Sequence, residues 1–265
     1  MPTSAATGTE LDELRRRFET DGYAVFDPGI AEETIDAAIT RIELEFHEEG
    51  RFEAAARRAK RAVLGRSRAL SGRNNVRIQD AWTICAEVRE IATAPRVLAL
   101  LAELYGRTPL PFQTINFRLG SQQAPHSDAW HFSSDPAGFM CGVWVAFEDI
   151  DEDRGPLLYY PGSQRLEQLT GADVERRTGS ADNDSYERFI GELIEREGLE
   201  ARLGTLKKGQ ALVWSANLLH GGAPQRDPSL TRWTQVTHYF FEGCRWWKPS
   251  HSGTERHHFQ PTFIR

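Results

Sequence analysis

The sequence predicts a mainly β fold in which helices pack on one side of an antiparallel double sheet, closed as a jelly roll. Three observations lead there. Up to about residue 110 the apolar residues recur at helical spacing. From Pro111 onward they gather in short β-rich runs, and Asp, Gly and Pro break those runs, as at 149–156 and 221–228. Helices first and strands afterwards imply helices stacked on a sheet. Two facing sheets are the usual way for many short strands to close around a site.

Taken in order, residues 1–9 are small and polar and read as a disordered start. Leu11, Leu14 and Phe18 mark a first helix that Gly22 ends, and Tyr23, Ala24, Val25 and Phe26 read as a strand. A second helix carries Ile35, Ile39, Ile42 and Phe46. A third, over about 86–105, carries Val88, Ile91, Leu98 and Leu101 and is interrupted near Pro95. Strands are expected at 112–119, 139–147, 157–160, 211–214 and 232–241. Between them, 165–204 is a charged insertion whose Tyr186, Phe189, Ile190, Leu193 and Ile194 have helical spacing. It is expected either over the mouth of the barrel, as a lid, or as a surface helix that covers a sheet face and never moves. The organisation is a single domain over 1–265, with helical support at 10–110, the β core at 111–245 and a tail at 246–265.

Composition bounds the function. The 265 residues are 40% hydrophobic and 26% charged, enough for a full core. A net charge of −6 leaves no broad footprint for nucleic acid. No apolar run is long enough to span a bilayer, and the start lacks a signal-peptide pattern. Cys85, Cys141 and Cys244 are far apart and odd in number, which suits a reducing cytoplasm.

The chemistry gathers around His126-Ser127-Asp128. On a strand, residues two apart point to the same side, so both His126 and Asp128 can aim into a barrel. Alone, such a pair is also compatible with a hydrogen-bonded surface pair. His47-Glu48-Glu49 has the same spacing but sits in a helical pattern, where the two would not share a face. His220 lies where a strand meets Gly221-Gly222, a location open to a cavity. Two imidazoles and one carboxylate make the facial ligand set of a mononuclear non-haem iron(II) site, with open positions opposite. On the last strand Arg232, Thr234, Val236 and His238 share a face. An arginine pointing inward needs an anion, and its planar fork suits a carboxylate of a ligand or of the protein. Trp130, His131 and Phe132 follow the pair directly and are candidate substrate contacts, or core. His251, His257 and His258, near the chain end and without a carboxylate at that spacing, read as solvated tail. Arg57, Arg58, Lys60, Arg61, Arg66 and Arg68 form one basic patch, either a solvated helical face or a contact for a coenzyme A or carrier-protein phosphate.

The chain resembles the phytanoyl-CoA dioxygenase-like family of iron(II)/2-oxoglutarate-dependent oxygenases. The resemblance starts at 14–25 and runs to about Cys244. It is carried above all by His126-Ser127-Asp128, Gly142-Val143-Trp144-Val145-Ala146, Gly155-Pro156-Leu157 and Pro161-Gly162-Ser163. It implies a double-stranded β-helix jelly roll, cupin-like, with iron(II) on His126, Asp128 and His220. It also implies that Arg232 holds the distal carboxylate of 2-oxoglutarate, with Trp144 and Asn116 beside the co-substrate. The reaction would consume O2, release succinate and carbon dioxide, and hydroxylate a C–H bond of a small molecule. Relatives that halogenate lack the carboxylate ligand, whereas Asp128 is present here. Two positions depart from the family pattern. Gly222 stands where a serine is common, and Gln164 replaces the histidine after Pro-Gly-Ser. Arg226 competes with Arg232 for the anchor role but lies in a Pro-rich loop. The competing readings are a non-enzymatic jelly-roll protein with a structural or sensory metal, and a cupin-like isomerase or lyase using another metal.

Overall fold

The chain enters through helix α1 (Gly8–Asp21), which turns Leu14 into the core while Glu13 pairs with Arg16 and Arg17 on its outer face. Gly22, at φ 83°, stops it in the left-handed region where a glycine carries no steric penalty. The structure is a computed structural model describing residues 8–46, 63–66, 76–253 and 255–265. His47 and most of the basic patch, from Arg57 to Arg61 and at Arg68, lie outside the described residues.

Strand β1 (Tyr23–Phe26) and helix α2 (Glu32–Phe46) follow, then strands β2 (Val63–Arg66) and β3 (Val76–Gln79). The expected third helix is two, α3 (Ala86–Ala92) and α4 (Pro95–Tyr105), because Pro95 cannot continue a helix but suits the first turn of the next. The β core comprises β4 (Pro109–Phe117), β5 (Ser133–Asp135), β6 (Met140–Ala146) and β7 (Leu157–Tyr159). Helices α5 (Gly171–Thr178) and α6 (Asn183–Arg196) interrupt it. It resumes with β8 (Arg202–Gly204), β9 (Ala211–Ser215), β10 (His220–Gly222), β11 (Thr234–Phe241) and β12 (Arg245–Trp247).

These strands form a seven-stranded sheet ordered β1-β9-β6-β11-β4-β3-β2, a three-stranded sheet β10-β7-β8 and a β12-β5 pair. Every pairing is antiparallel. The large sheet is buried on both faces. One face sets Val143, Val145, Val213 and Phe241 against Ile35, Val88, Val97 and Leu101 of the helices. The other sets Ile115, Trp144, Leu212 and Val236 against Leu157 and Tyr159 of the small sheet. Double-sided burial explains why these strands read as nearly continuous apolar runs. The site lies between the two sheets.

Three expectations change. The insertion helix α6 does not cover the barrel mouth. Its apolar face, Tyr186, Phe189, Ile190 and Leu193, packs on Trp130, Tyr160 and Leu219, behind the segment that carries His126. The tail is folded rather than solvated: Trp247 of β12 pairs with Ser133 of β5, Phe263 packs on Trp246, and buried Ile264 donates its N–H to the Pro111 carbonyl. His126 and Asp128 do not share a regular strand. His126 forms a single antiparallel bridge with His220, and Asp128 opens a 3-10 turn, Asp128–Trp130. Ser127 between them stays extended (φ −108°, ψ 132°), so the two-apart, same-side relation survives without a strand.

Candidate metal centre

The cluster is built by close approach of two backbones. A Cβ on Gly221 would lie 2.6 Å from the Gln123 carbonyl, and one on Gly222 would lie 2.5 Å from the Gln122 nitrogen. Only glycine lets β10 lie this tightly against the 121–125 segment. The contact continues as reciprocal bonds between His126 and His220, N–H to carbonyl, at 2.8 and 2.9 Å. The two imidazoles thereby face each other with ring centroids 4.5 Å apart.

Each ring is oriented from behind. The Nδ1 of His126 lies 3.0 Å from the Ala124 carbonyl, and that of His220 lies 3.0 Å from the Leu218 carbonyl. A carbonyl can only accept, so each Nδ1 carries the proton and each Nε2 presents a lone pair. Both Nε2 atoms turn to Asp128, at 3.8 and 3.7 Å from its Oδ1. One ligand atom from each of His126, Asp128 and His220 lies within 4.8 Å of the others, and all three residues are buried.

The other oxygen of Asp128 is held separately. Trp214 donates its Nε1–H to Oδ2 at 2.8 Å, and His238 Nε2 lies 3.3 Å from the same oxygen. His238 is itself fixed through Nδ1 by Gln113 Oε1 at 2.9 Å. Trp214 reaches Asp128 by lying over Gly142, where any Cβ would collide with the indole. Burial pushes the Asp128 carboxyl up, but His220, His238 and His126 together pull it well below the usual carboxylate range. Burial, reinforced by the neighbouring His220, pushes His126 down to about 3. An anionic Asp128 beside a neutral His126 is the protonation state that metal binding requires of these two groups.

A cavity of about 290 Å3 opens in front of the cluster, with Arg232, Trp144, His131 and Phe132 on its wall. Arg232 is 2% exposed, and its Nε has no partner. Its guanidinium carbon lies 5.5 and 5.7 Å from the rings of Phe117 and Trp144, and burial lowers its pKa to about 10 against the opposing field of Glu148. A buried guanidinium with an unsatisfied N–H fits an incoming carboxylate. The donor set and this arginine therefore suit a metal that chelates a dicarboxylic co-substrate. Arg226, the competitor, is exposed and paired with Glu152 at 2.7 Å.

Two of the expected site residues are elsewhere. Asn116 lies on the opposite face of β4 from Ile115 and Phe117, which line the cavity, and its amide donates to Gln235 at 3.3 Å. Trp130 stacks on Tyr186 with centroids 4.2 Å apart, packed under α6 rather than lining the cavity. Sequence reasoning passed over Trp214, Gln113 and Arg77, and it noted His238 only as a face-mate of Arg232. The period-two pattern of Val76-Arg77-Ile78-Gln79 was the available signal for Arg77. At the Gly222 corner, where the family often has serine, a Cβ would lie 2.6 Å from the hydroxyl of Ser121, which faces the cavity. Among the described residues His251, His257 and His258 form no metal-type group.

Antiparallel sheets closed around a buried two-histidine, one-carboxylate cluster define a jelly-roll protein with a facial metal centre. The phytanoyl-CoA dioxygenase (PhyH) family model matches residues 18–232, and the chain belongs to that family. Phytanoyl-CoA dioxygenase domain-containing protein 1 of Rattus norvegicus is 32% identical over 101 residues, 37% of this chain and 33% of the relative. Its counterpart in Danio rerio is 26% identical over 139 residues, 51% of this chain and 46% of the relative. The matches thus span between a third and a half of these curated relatives. Among solved structures, EctD from S. alaskensis with 2-oxoglutarate and 5-hydroxyectoine superposes with a TM-score of 0.68 at 18% identity, over 97% of this chain and 83% of that one. The α-ketoglutarate-dependent epimerase SnoN from nogalamycin biosynthesis superposes with a TM-score of 0.67 at 20% identity, over 96% and 95%. At these identities the likeness shows the fold.

Proposed function

We propose that the protein is an iron(II)- and 2-oxoglutarate-dependent oxygenase that hydroxylates an unactivated C–H bond of a small molecule and releases succinate and carbon dioxide. The observation that carries this reading is the convergence of two Nδ1-anchored imidazoles and an anionic carboxylate beside an unpaired buried arginine. Iron(II) held by His126, Asp128 and His220, with 2-oxoglutarate and O2, would supply the oxidising power for C–H cleavage. The chain's own residues do the positioning. Arg232 would take the distal carboxylate bidentately, and Phe117 and Trp144 keep water from that ion pair. Trp214 and His238 hold Asp128 so that one oxygen always faces the two imidazoles. Ile115, Phe132 and Val236 give the cavity an apolar side for the substrate. A carboxylate in the third ligand position favours hydroxylation over halogenation. The three cysteines, buried and unbonded, suit a reducing cytoplasm.

The test is anaerobic addition of iron(II) and 2-oxoglutarate, followed by oxygen. A weak visible charge-transfer band is expected first, then succinate in amounts dependent on 2-oxoglutarate. Asp128→Ala should abolish succinate formation. Arg232→Ala should weaken 2-oxoglutarate by roughly 30-fold or more, the cost of unpairing a buried charged bond, whereas Arg226→Ala should not. An absent band in the wild type would leave a structural or sensory metal as the reading.

A further inference from the structure

The lining of the cavity has two origins. Strands β3, β4, β6 and β11 contribute Arg77, Ile115, Phe117, Trp144 and Val236. A second group comes from turns. His131 and Phe132 follow Asp128, and Lys248, Ser250 and His251 belong to the tail, at a 3-10 turn over Pro249–His251. This tail turn packs directly on the Asp128–Trp130 turn, which carries a proposed ligand. Helix α5 pins it from outside, where a Cβ on Gly171 would lie 2.7 Å from the Ser250 carbonyl. Within the tail, Lys248 donates its N–H to the His257 carbonyl at 2.9 Å, and Ser252 donates its hydroxyl to the Lys248 carbonyl at 2.7 Å. Chain ends fray unless they are tied down. This one is tied down against the metal-facing turn.

The polar groups of these turns are unspent. Among the described residues the half-buried imidazole of His131 makes no hydrogen bond, and the Lys248 ammonium has no carboxylate partner. That ammonium lies 5.2 Å from the centre of the Phe259 ring, and Phe259 packs against Phe132 of the wall with centroids 6.1 Å apart. The Nδ1 of His251 is tied to the Ser250 hydroxyl at 3.0 Å, which leaves Nε2 for another partner. Asp128 is the one carboxylate among the described residues of the wall. On the oxygenase reading, which this inference rests on, it is committed to the metal. Lys248 is left over even when Arg77 and Arg232 are both given to the co-substrate. The metal and the two arginines bring four positive charges, and Asp128 with the two carboxylates of 2-oxoglutarate brings three negative ones. Lys248 adds to that surplus, and a cleft of one sign concentrates ligands of the other.

We propose that the tail turn is the recognition site for an oxyanion on the primary substrate, a carboxylate or a phosphate, with Lys248 as its charged member and His131 and His251 beside it. Phe132 then holds the apolar body of the molecule next to the metal-facing groups. A lysine ammonium is a compact point charge with three rotatable donors, so it takes either anion without the fixed geometry of a guanidinium fork. The substrates of this site are small organic acids or phosphate monoesters with an apolar skeleton. Lys248 is in this sense a specificity residue that acts on the substrate and not on the co-substrate.

The experiment uses the full chain loaded with iron(II) and 2-oxoglutarate under anaerobic conditions. The probes are 3-phenylpropanoate, 2-phenylethyl phosphate and the neutral 3-phenylpropanamide, and binding is read by calorimetry and by perturbation of the charge-transfer band. At least one anion should bind about tenfold tighter than the amide or more, the effect of one hydrogen bond to a charged group. The tighter of the two identifies the oxyanion. Lys248→Gln should erase the preference and leave the affinity for 2-oxoglutarate unchanged, whereas Lys248→Arg should keep it, because the charge stays. Four results overturn the proposal: neither anion binding more tightly than the amide, the preference surviving in Lys248→Gln, Lys248→Gln losing 2-oxoglutarate, or Lys248→Arg losing the preference as well. The third would place Lys248 with the co-substrate, and the fourth would reduce it to a packing element of the tail. A wild type that forms no band before any probe is added fails at the earlier step, and the oxygenase reading falls with it.

Discussion

At the scale of single residues, the centre depends as much on what holds the ligands as on the ligands. Asp128 has one oxygen for the imidazoles and one for Trp214 and His238, and the indole bond is the shorter of those two at 2.8 Å. Trp214→Phe keeps the ring over Gly142 but removes the donor. Metal affinity should fall 10- to 100-fold, the usual effect of losing such an outer partner, and the melting temperature should fall as well, since Trp214 is fully buried. Unchanged metal affinity, measured by titration against a chelator, would show that His238 suffices. The clustering of the three proposed ligands was legible in the sequence, because His-x-Asp and a histidine before paired glycines are local patterns. Their supports were not. Trp214 lies 86 residues from Asp128, and the link depends on Gly142 leaving room on a third strand. Asn116 was misread for a related reason: its residue type fits an amide role, but its side is set by the phase of β4, and Ile115 and Phe117 take the cavity side.

At the scale of elements, the helices and longer strands were readable from period and punctuation. Tyr23–Phe26 matches its expected bounds, and Pro95 divides the third helical stretch where backbone chemistry says it must. The short strands β2, β3, β5, β8, β10 and β12 were not read, since three or four residues carry little periodicity and their pairing is decided by distant partners. The most consequential change concerns α6. The Ser127 N–H donates to the Tyr186 hydroxyl at 2.9 Å, so the first turn of this helix holds the backbone between His126 and Asp128. Tyr186→Phe would leave that buried N–H without a partner, at about 1–3 kcal/mol. The urea midpoint should drop accordingly and metal affinity should fall with it. Loss of stability alone would mean that the bond supports packing without tuning the centre.

At the scale of the whole molecule, the site imposes a pH signature on the metal-free fold. His126 and His131 are buried in neutral form, pushed from 6.5 to about 3 and about 4, in both cases chiefly by burial. Between those values and 6.5 the unfolded chain binds more protons than the folded one, so stability rises with pH there and is lost on acidification. Asp128, depressed by its imidazole neighbours, acts in the same direction but only below the ordinary carboxylate range. Urea midpoints of the metal-free protein should therefore decline from about pH 6.5 down to about 4, and His131→Phe should flatten part of the decline. A midpoint constant over that interval would contradict the burial of these rings. The Tyr186–Ser127 contact also limits how the scaffold can be re-engineered. Because the excursion at 165–204 braces the ligand segment from its rear, trimming it to a short turn would unmoor the metal instead of widening access. Libraries meant to change what the cavity accepts should leave that buttress intact and vary other residues of its wall, such as Gln79 and Ile115.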